Sequence, residues 1–150
     1  MTLSSMLSKP LACLSAVALG TAAAAPSAPG AGLWDLSMKM EGVPSGGETR
    51  SAKACLSAEA LSNAPEQTLF EAASRGGRGP SKCELREFAR EGARSAWRSQ
   101  CEGPMGKMQG AGAGTLGPDA ADLQQSFSVK APFGTLELKQ MLSARRVGSC

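Results

Sequence analysis

Cysteines, methionines and carboxylates are the chemistry-bearing residues of this 150-residue chain, which has no histidine. Without imidazole, His-dependent triads, imidazole acid–base catalysis and most zinc catalysis are excluded. Cys13, Cys55, Cys83, Cys101 and Cys150 form no Cys-x-x-Cys pair of the kind a dithiol redox catalyst uses. Their wide gaps also miss the close pairing of zinc ligands. Met38-x-Met40 and Met105-x-x-Met108 offer thioethers to a soft cation such as Cu(I). The favoured reading keeps Met38 and Met40 in a core, where methionine fills irregular gaps. The acids Asp35, Glu41, Glu84 and Glu102 fall on outward positions or turns, so they read as solvated surface charge. Gly110, Gly112 and Gly114 lack the Lys-Ser/Thr and the following helix of a phosphate loop. The expectation is a non-catalytic protein without a cofactor.

The start of the chain sets the compartment. Met1–Lys9 is short and polar, and Leu11–Ala25 is an Ala-rich apolar run ending in Ala23-Ala24-Ala25, with Pro26 after it. That is the shape of a secretory signal peptide. The run is shorter than the roughly 20 apolar residues that span a bilayer, which argues against stable membrane insertion. Because Met1–Ala12 is mostly polar, Cys13 does not read as a lipid-anchor cysteine. Cleavage near Ala25 would leave a periplasmic or secreted protein. Residues 26–31 read as a flexible Pro/Ala/Gly spacer, and residues 32–150 as one domain. The four remaining cysteines are an even set in an oxidising compartment, so structural disulfides are expected. They would help a core supplied by only two Trp, four Phe and no Tyr. The formal charge of +3 loses Lys9 with the leader. What is left is too weak to argue for nucleic acid or a charged membrane surface.

The elements that must position these residues are mostly strands. Trp34, Leu36, Met38 and Met40 alternate with Asp35, Ser37, Lys39 and Glu41, the period of a half-buried strand. Val43–Gly47 predicts a turn and Glu48–Leu56 a return strand. Ser57 can cap a short helical turn to Leu61. Asn63-Ala64-Pro65-Glu66 resembles a second helix start, with Glu at the third helical position and the helix running to about Ala73. Ser74–Ser81 reads as a flexible loop open to proteases. Lys82–Gln100 fits two patterns. As a helix it carries a basic stripe of Arg86, Arg90, Arg94 and Arg98. As a hairpin turning near Gly92, it exposes those arginines on strands. Alternate glycines in Met108–Leu116 leave one strand face bare, so that a bulky neighbour can approach or the sheet can curl. Gly117-Pro118-Asp119 turns the chain. Leu123–Val129 and Thr135–Leu142 alternate as strands, with Leu136 and Leu138 inward. The fold class is mainly β: an antiparallel curled sheet, sandwich or small barrel with one short helical insertion.

Several short motifs follow one another in a definite order. They are Gly-Leu-Trp-Asp at 32–35, Cys-Leu-Ser-Ala-Glu-Ala-Leu at 55–61, Cys83, Trp97 and Cys-Glu-Gly-Pro at 101–104. The alternating glycines and a terminal Arg-Arg-Val-Gly-Ser-Cys complete the order. This ordered set resembles a bacterial secreted family catalogued as domain of unknown function 3617. The resemblance spans roughly residues 32–150. It implies a periplasmic, mainly β domain and a hairpin over Lys82–Gln100, and it brings no assigned activity.

Four cysteines allow three pairings. Sequential pairing, Cys55–Cys83 with Cys101–Cys150, staples the helical insertion and the last strand, and is favoured. The rival is a cross-strand Cys83–Cys101 bond about Gly92. The expected function is binding of a small apolar ligand, an envelope component or a protein partner by a monomeric or weakly associating domain. Trp34, Leu36, Met38, Met40 and Trp97 would line the site if the interior is open, and are core if it is packed shut.

Overall fold

The computed structural model describes residues 28–42, 46–75, 82–103 and 106–150. Apolar–polar alternation sends one face of each strand inward, and every element follows from that pattern or from its interruption. In chain order the elements are β1 (Gly32–Glu41), β2 (Glu48–Leu56), α1 (Ala58–Asn63), α2 (Pro65–Ser74), β3 (Lys82–Glu91), β4 (Arg94–Gly103), β5 (Gly106–Leu116), β6 (Ala120–Ala131) and β7 (Gly134–Gly148). The strands form one seven-stranded sheet, ordered β2-β1-β7-β6-β5-β4-β3. Every pairing is antiparallel. The curled-sheet reading therefore holds, and the sheet does not close: β2 and β3 are its edges.

The link from β2 to β3 crosses from one edge to the other, and the two helices make that crossing. Ser57 caps α1 by accepting a hydrogen bond from the Ala60 N–H at 3.2 Å. In α2, Pro65 occupies the first turn, where a missing N–H costs nothing. The capping differs from the sequence reading. Ala64 is the N-cap and makes no side-chain bond. Glu66 stands one position earlier than a capping-box glutamate and turns inward instead. Thr68 Oγ1 donates to the Ala60 carbonyl at 2.9 Å and locks the helices together. Pro65, Leu69, Ala72 and Ala73 form the buried stripe of α2, at helical spacing. The helix touches both edge strands, as well as β1 and β7. It stoppers the gap that a ladder would otherwise close. The Gln67 side chain also accepts a hydrogen bond from the Leu85 N–H on edge strand β3, at 3.5 Å.

Register arranges the inward side chains in rows across the sheet. One row holds Leu36, Ala144, Ala121 and Leu116; the next holds Met38, Leu142, Leu123, Gly114, Ser95 and Arg90. Then come Met40, Gln140, Gln125, Gly112 and Trp97, followed by Leu138, Phe127, Gly110, Ser99 and Leu85. Apolar packing splits into two clusters. The larger joins α1 and α2 to Trp34, Leu36, Met38, Trp97, Leu123 and Leu142. The smaller contains Cys101, Met108, Phe127, Val129 and Leu138, with Cys83 and Leu136 against it.

Lys82–Gln100 is a hairpin, as the family resemblance implied and against the helix alternative. Gly92 takes φ +59° at the turn, a left-handed conformation that glycine adopts without strain. The bare face of β5 is filled by its neighbours. A Cβ on Gly112 would overlap the Trp97 indole, and one on Gly110 would meet Phe127 Cδ1 at 2.7 Å.

Both disulfides differ from the favoured sequential pairing. Cys83 bonds Cys101, its direct cross-strand partner, and Cys55 bonds Cys150. The reason is topological. β7 pairs with β1, which pairs with β2, so the chain's end lies one strand away from Cys55. Residues 28–31, read as part of a flexible spacer, are held. Pro29 is buried, and the Gly30 N–H donates to the Pro118 carbonyl at 2.8 Å. The signal peptide, the Ser74–Ser81 loop beyond Arg75 and residues 43–45 of the Val43–Gly47 turn lie outside the described residues.

Candidate functional site

A β-bulge decides what the inner face carries near the β3 edge. Between Arg86↔Arg98 and Ala89↔Ala96, Glu87 and Phe88 together oppose Trp97. Glu87 adopts φ 54° there. One extra residue reverses the facing of everything after it. Before the bulge Cys83 and Leu85 point inward; after it Phe88 and Arg90 do. Phe88 reaches Trp97 with ring centroids 6.5 Å apart, and Phe70 of α2 meets the same indole edge-on at 6.1 Å.

Arg90 thereby turns toward the inner face and meets Glu66, with its side chain still 44% exposed. The carboxylate is 0% exposed. It accepts two hydrogen bonds from Arg90, Nε at 3.1 Å and Nη2 at 2.7 Å. It accepts a third from the Ser95 hydroxyl at 2.5 Å. A buried carboxylate is tolerated because bidentate arginine and hydroxyl bonds replace its lost water. This cluster pins the first turn of α2 to the β3–β4 hairpin.

One row further along the strands the inner face is polar again. The Gln125 amide donates to Gln140 Oε1 at 2.7 Å, and Trp97 Nε1 donates to Gln125 Oε1 at 3.5 Å. Both glutamines are buried. They separate the helix-covered cluster from the smaller one and form the floor of an open cleft of about 850 Å³. Gln67 and Phe70 of α2 line one side, and Cys83 and Leu85 of β3 line another. Its rim is charged in both senses, with Arg75, Lys82 and Arg86 against Glu71, Glu84 and Glu102. Next to the Gln125 row, Ser99 is 3% exposed, and its hydroxyl has no hydrogen-bond partner among the described residues. The hydroxyl packs over Gly110, where a Cβ would come within 2.9 Å of it.

The residues read as site lining if the interior is open, or as core if it is packed shut, take the core position. Trp34, Leu36, Met38 and Trp97 are packed shut under the helices, and Met40 is half-buried at the polar row. None of them lines the cleft. The Trp34 N–H is satisfied internally by the Gly30 carbonyl at 3.0 Å. Of the methionines weighed as Cu(I) ligands, Met38 and Met40 share one face of β1. Met38 and Met108 belong to different clusters, and Met105 lies outside the described residues. Of the four cysteines, Cys83 alone lines the cleft.

On the outer face, Asp122 takes two hydrogen bonds from Arg145 Nη2, at 3.1 and 3.0 Å. The guanidinium holds that carboxyl below its ordinary range. The same face carries a broader trough of about 1200 Å³ over Ala96, Ala113 and Met141, rimmed by Lys39, Arg94 and Asp122.

Glu66, Arg90, Ser95, Ser99 and Gln140 were not anticipated. Gln140 had a readable signal, since it continues the Leu136, Leu138, Leu142 alternation at an inward position. Ser95 and Ser99 share the Trp97 face of a hairpin strand in the same way. Arg90 had none, because its facing depends on the bulge, and Glu66 read as a cap.

What the register builds is a curled antiparallel sheet left open at its edges, stoppered by a helix and fastened by two disulfides. The chain belongs to the family described as Protein of unknown function (DUF3617), whose model matches residues 28–150. No curated protein and no solved structure matches it. Among the described residues no helix is long and apolar enough to cross a membrane.

Proposed function

We propose that this domain is a non-catalytic binding module that takes a small amphiphilic molecule into the cleft beside α2. The observation that carries the reading is a buried, hydrogen-bonded glutamine pair opening on a cleft that Phe70, Leu85 and Cys83 also line. Its volume lies within the range of small-molecule sites, and Phe70, Leu85 and Cys83 supply apolar wall within a lining that is otherwise polar and charged. The ligand wall in this reading is α2 with β3, in place of the Trp34–Met40 face. The two disulfides suit an oxidising compartment. Together with the apolar leader, they support a periplasmic or secreted location.

The test uses N-phenyl-1-naphthylamine, an uncharged fluorophore that brightens in apolar sites. Full-length mature protein with both disulfides formed should enhance its emission saturably. Ser74→Trp, at the half-buried C-terminal end of α2 beside the cleft, should abolish the enhancement while leaving the circular dichroism unchanged. No saturable enhancement, or one that Ser74→Trp leaves intact, refutes the cleft as the site. N-terminal sequencing of the exported protein should begin near Pro26.

A further inference from the structure

The inner-face hydrogen bonds leave a specific surplus. Gln125 Oε1 is used by Trp97, and the Gln125 amide is used by Gln140 Oε1. Among the described residues, the Ser99 hydroxyl is buried without a partner one row from the cleft's glutamines, and the Gln140 side chain is engaged through its Oε1, which leaves its amide nitrogen as the donor on the cleft floor. Ser99 cross-pairs with Leu85, a cleft wall, and stands one row from Gln125. A buried hydroxyl without a partner is uncommon, because folding strips its water and returns nothing. Gly110 brings no side chain against that hydroxyl, where a Cβ would come within 2.9 Å of it.

We infer that the cleft selects an amphiphile whose head is an uncharged hydrogen-bonding group, such as an ester or amide carbonyl, over one whose head is a carboxylate. The inference rests on the cleft being the binding site. A neutral carbonyl needs one or two donors, and the Gln140 amide and the Ser99 hydroxyl are donors. A carboxylate carried to the same floor loses its hydration and meets only neutral groups, which costs far more. The nearest buried charge is Glu66, which is negative and already holds Arg90 and Ser95. The rim offers no net attraction. Arg75, Lys82 and Arg86 face Glu71, Glu84 and Glu102, and Arg86 is bonded to Glu84 at 2.6 Å.

Displacement of N-phenyl-1-naphthylamine by glycerol monolaurate and by laurate, at neutral pH, tests this with one acyl chain and two heads. The ester should compete at least tenfold better. Ser99→Ala removes only an orphan hydroxyl, so its stability should match the parent. It should weaken the ester threefold to tenfold, the usual worth of one hydrogen bond, and leave laurate unchanged. If laurate competes as well as the ester, the head-group inference is overturned while the cleft reading stands. If Ser99→Ala leaves the ester unaffected, the hydroxyl holds only a buried water, and the inference is again overturned. If neither probe displaces the fluorophore, the cleft reading itself fails.

Discussion

The Glu66–Arg90 pair is unequally buried, and that predicts unequal costs for removing its members. Glu66 is 0% exposed at its side chain, whereas Arg90 is 44% exposed. Arg90→Met strands the carboxylate in the core with the Ser95 hydroxyl as its remaining donor. Breaking a buried pair this way costs about 3–5 kcal/mol. That is a large part of the roughly 5–15 kcal/mol that stabilises a domain. Glu66→Gln keeps the side-chain shape and leaves Arg90 free to turn its guanidinium to water. What is lost is the charge assistance of the three bonds, about 1–2 kcal/mol. Arg90→Met should therefore be the worse variant by about 2 kcal/mol, taking the difference of these ranges. The double variant Glu66→Met with Arg90→Met should recover much of that loss, because apolar replacement removes the stranded charge. The assay is urea unfolding with disulfides intact, followed by tryptophan fluorescence at constant m-value. Equal costs, or a costlier Glu66→Gln, would refute the reasoning that burial makes this pair asymmetric.

Three further outcomes follow from the packing. Gly112→Ala places a methyl inside the Trp97 indole. It should cost about 1–3 kcal/mol and shift tryptophan emission, whereas Gly148→Ala, which meets nothing within 4 Å, should be near neutral in the same unfolding assay. The disulfides close loops of 95 and 18 residues. Chain entropy then predicts losses of about 4.7 kcal/mol for Cys55→Ala with Cys150→Ala and about 3.2 kcal/mol for Cys83→Ala with Cys101→Ala. Non-reducing peptide mapping should find these two pairs, and the sequential pairs would contradict the topology. The lowered Asp122 carboxyl adds stability that is present at neutral pH and is lost as pH falls through its folded range. Asp122→Asn should flatten that acid limb slightly in pH-resolved melts, by less than about 1 kcal/mol since the pair is exposed.

Alternation made the strands readable, because a face that is buried on one side must repeat every two residues. Trp34 to Met40 and Leu123 to Val129 show this plainly. The glycines of β5 were readable for a related reason: side chains missing at every second position must belong to one face. The bulge was not readable. Glu87-Phe88 carries no glycine, and in β3 the change of facing is visible only through what Phe88 and Arg90 meet. The cysteine pairing failed for a non-local reason. It depends on β7 returning beside β1, which no short pattern encodes. The cleft was hidden for a different reason again. Gln125 and Gln140 sat on recognisable inward faces, but their partnership is a register fact joining two strands. Whether the Trp–Met face lines a site or is core stayed open in the sequence, because nothing local says that α2 will cover it.

The limited reach of α2 explains why a cleft exists at all. Ten helical residues span about 15 Å. The fifteen residues of β7 extend about 50 Å. A helix that short covers less than half of the strand length it faces, whichever way its axis runs. The rows under it are fully apolar at Leu36, Ala144 and Ala121, where a helix stripe of Leu69 and Ala72 can exclude water. The row with Gln125 and Gln140 comes where that cover gives out, and a polar pair there is stable because each amide satisfies part of the other. An apolar pair at those positions would draw the sheet and helix together, or else leave a greasy opening prone to aggregation. The same two residues that end the core thus begin the candidate site.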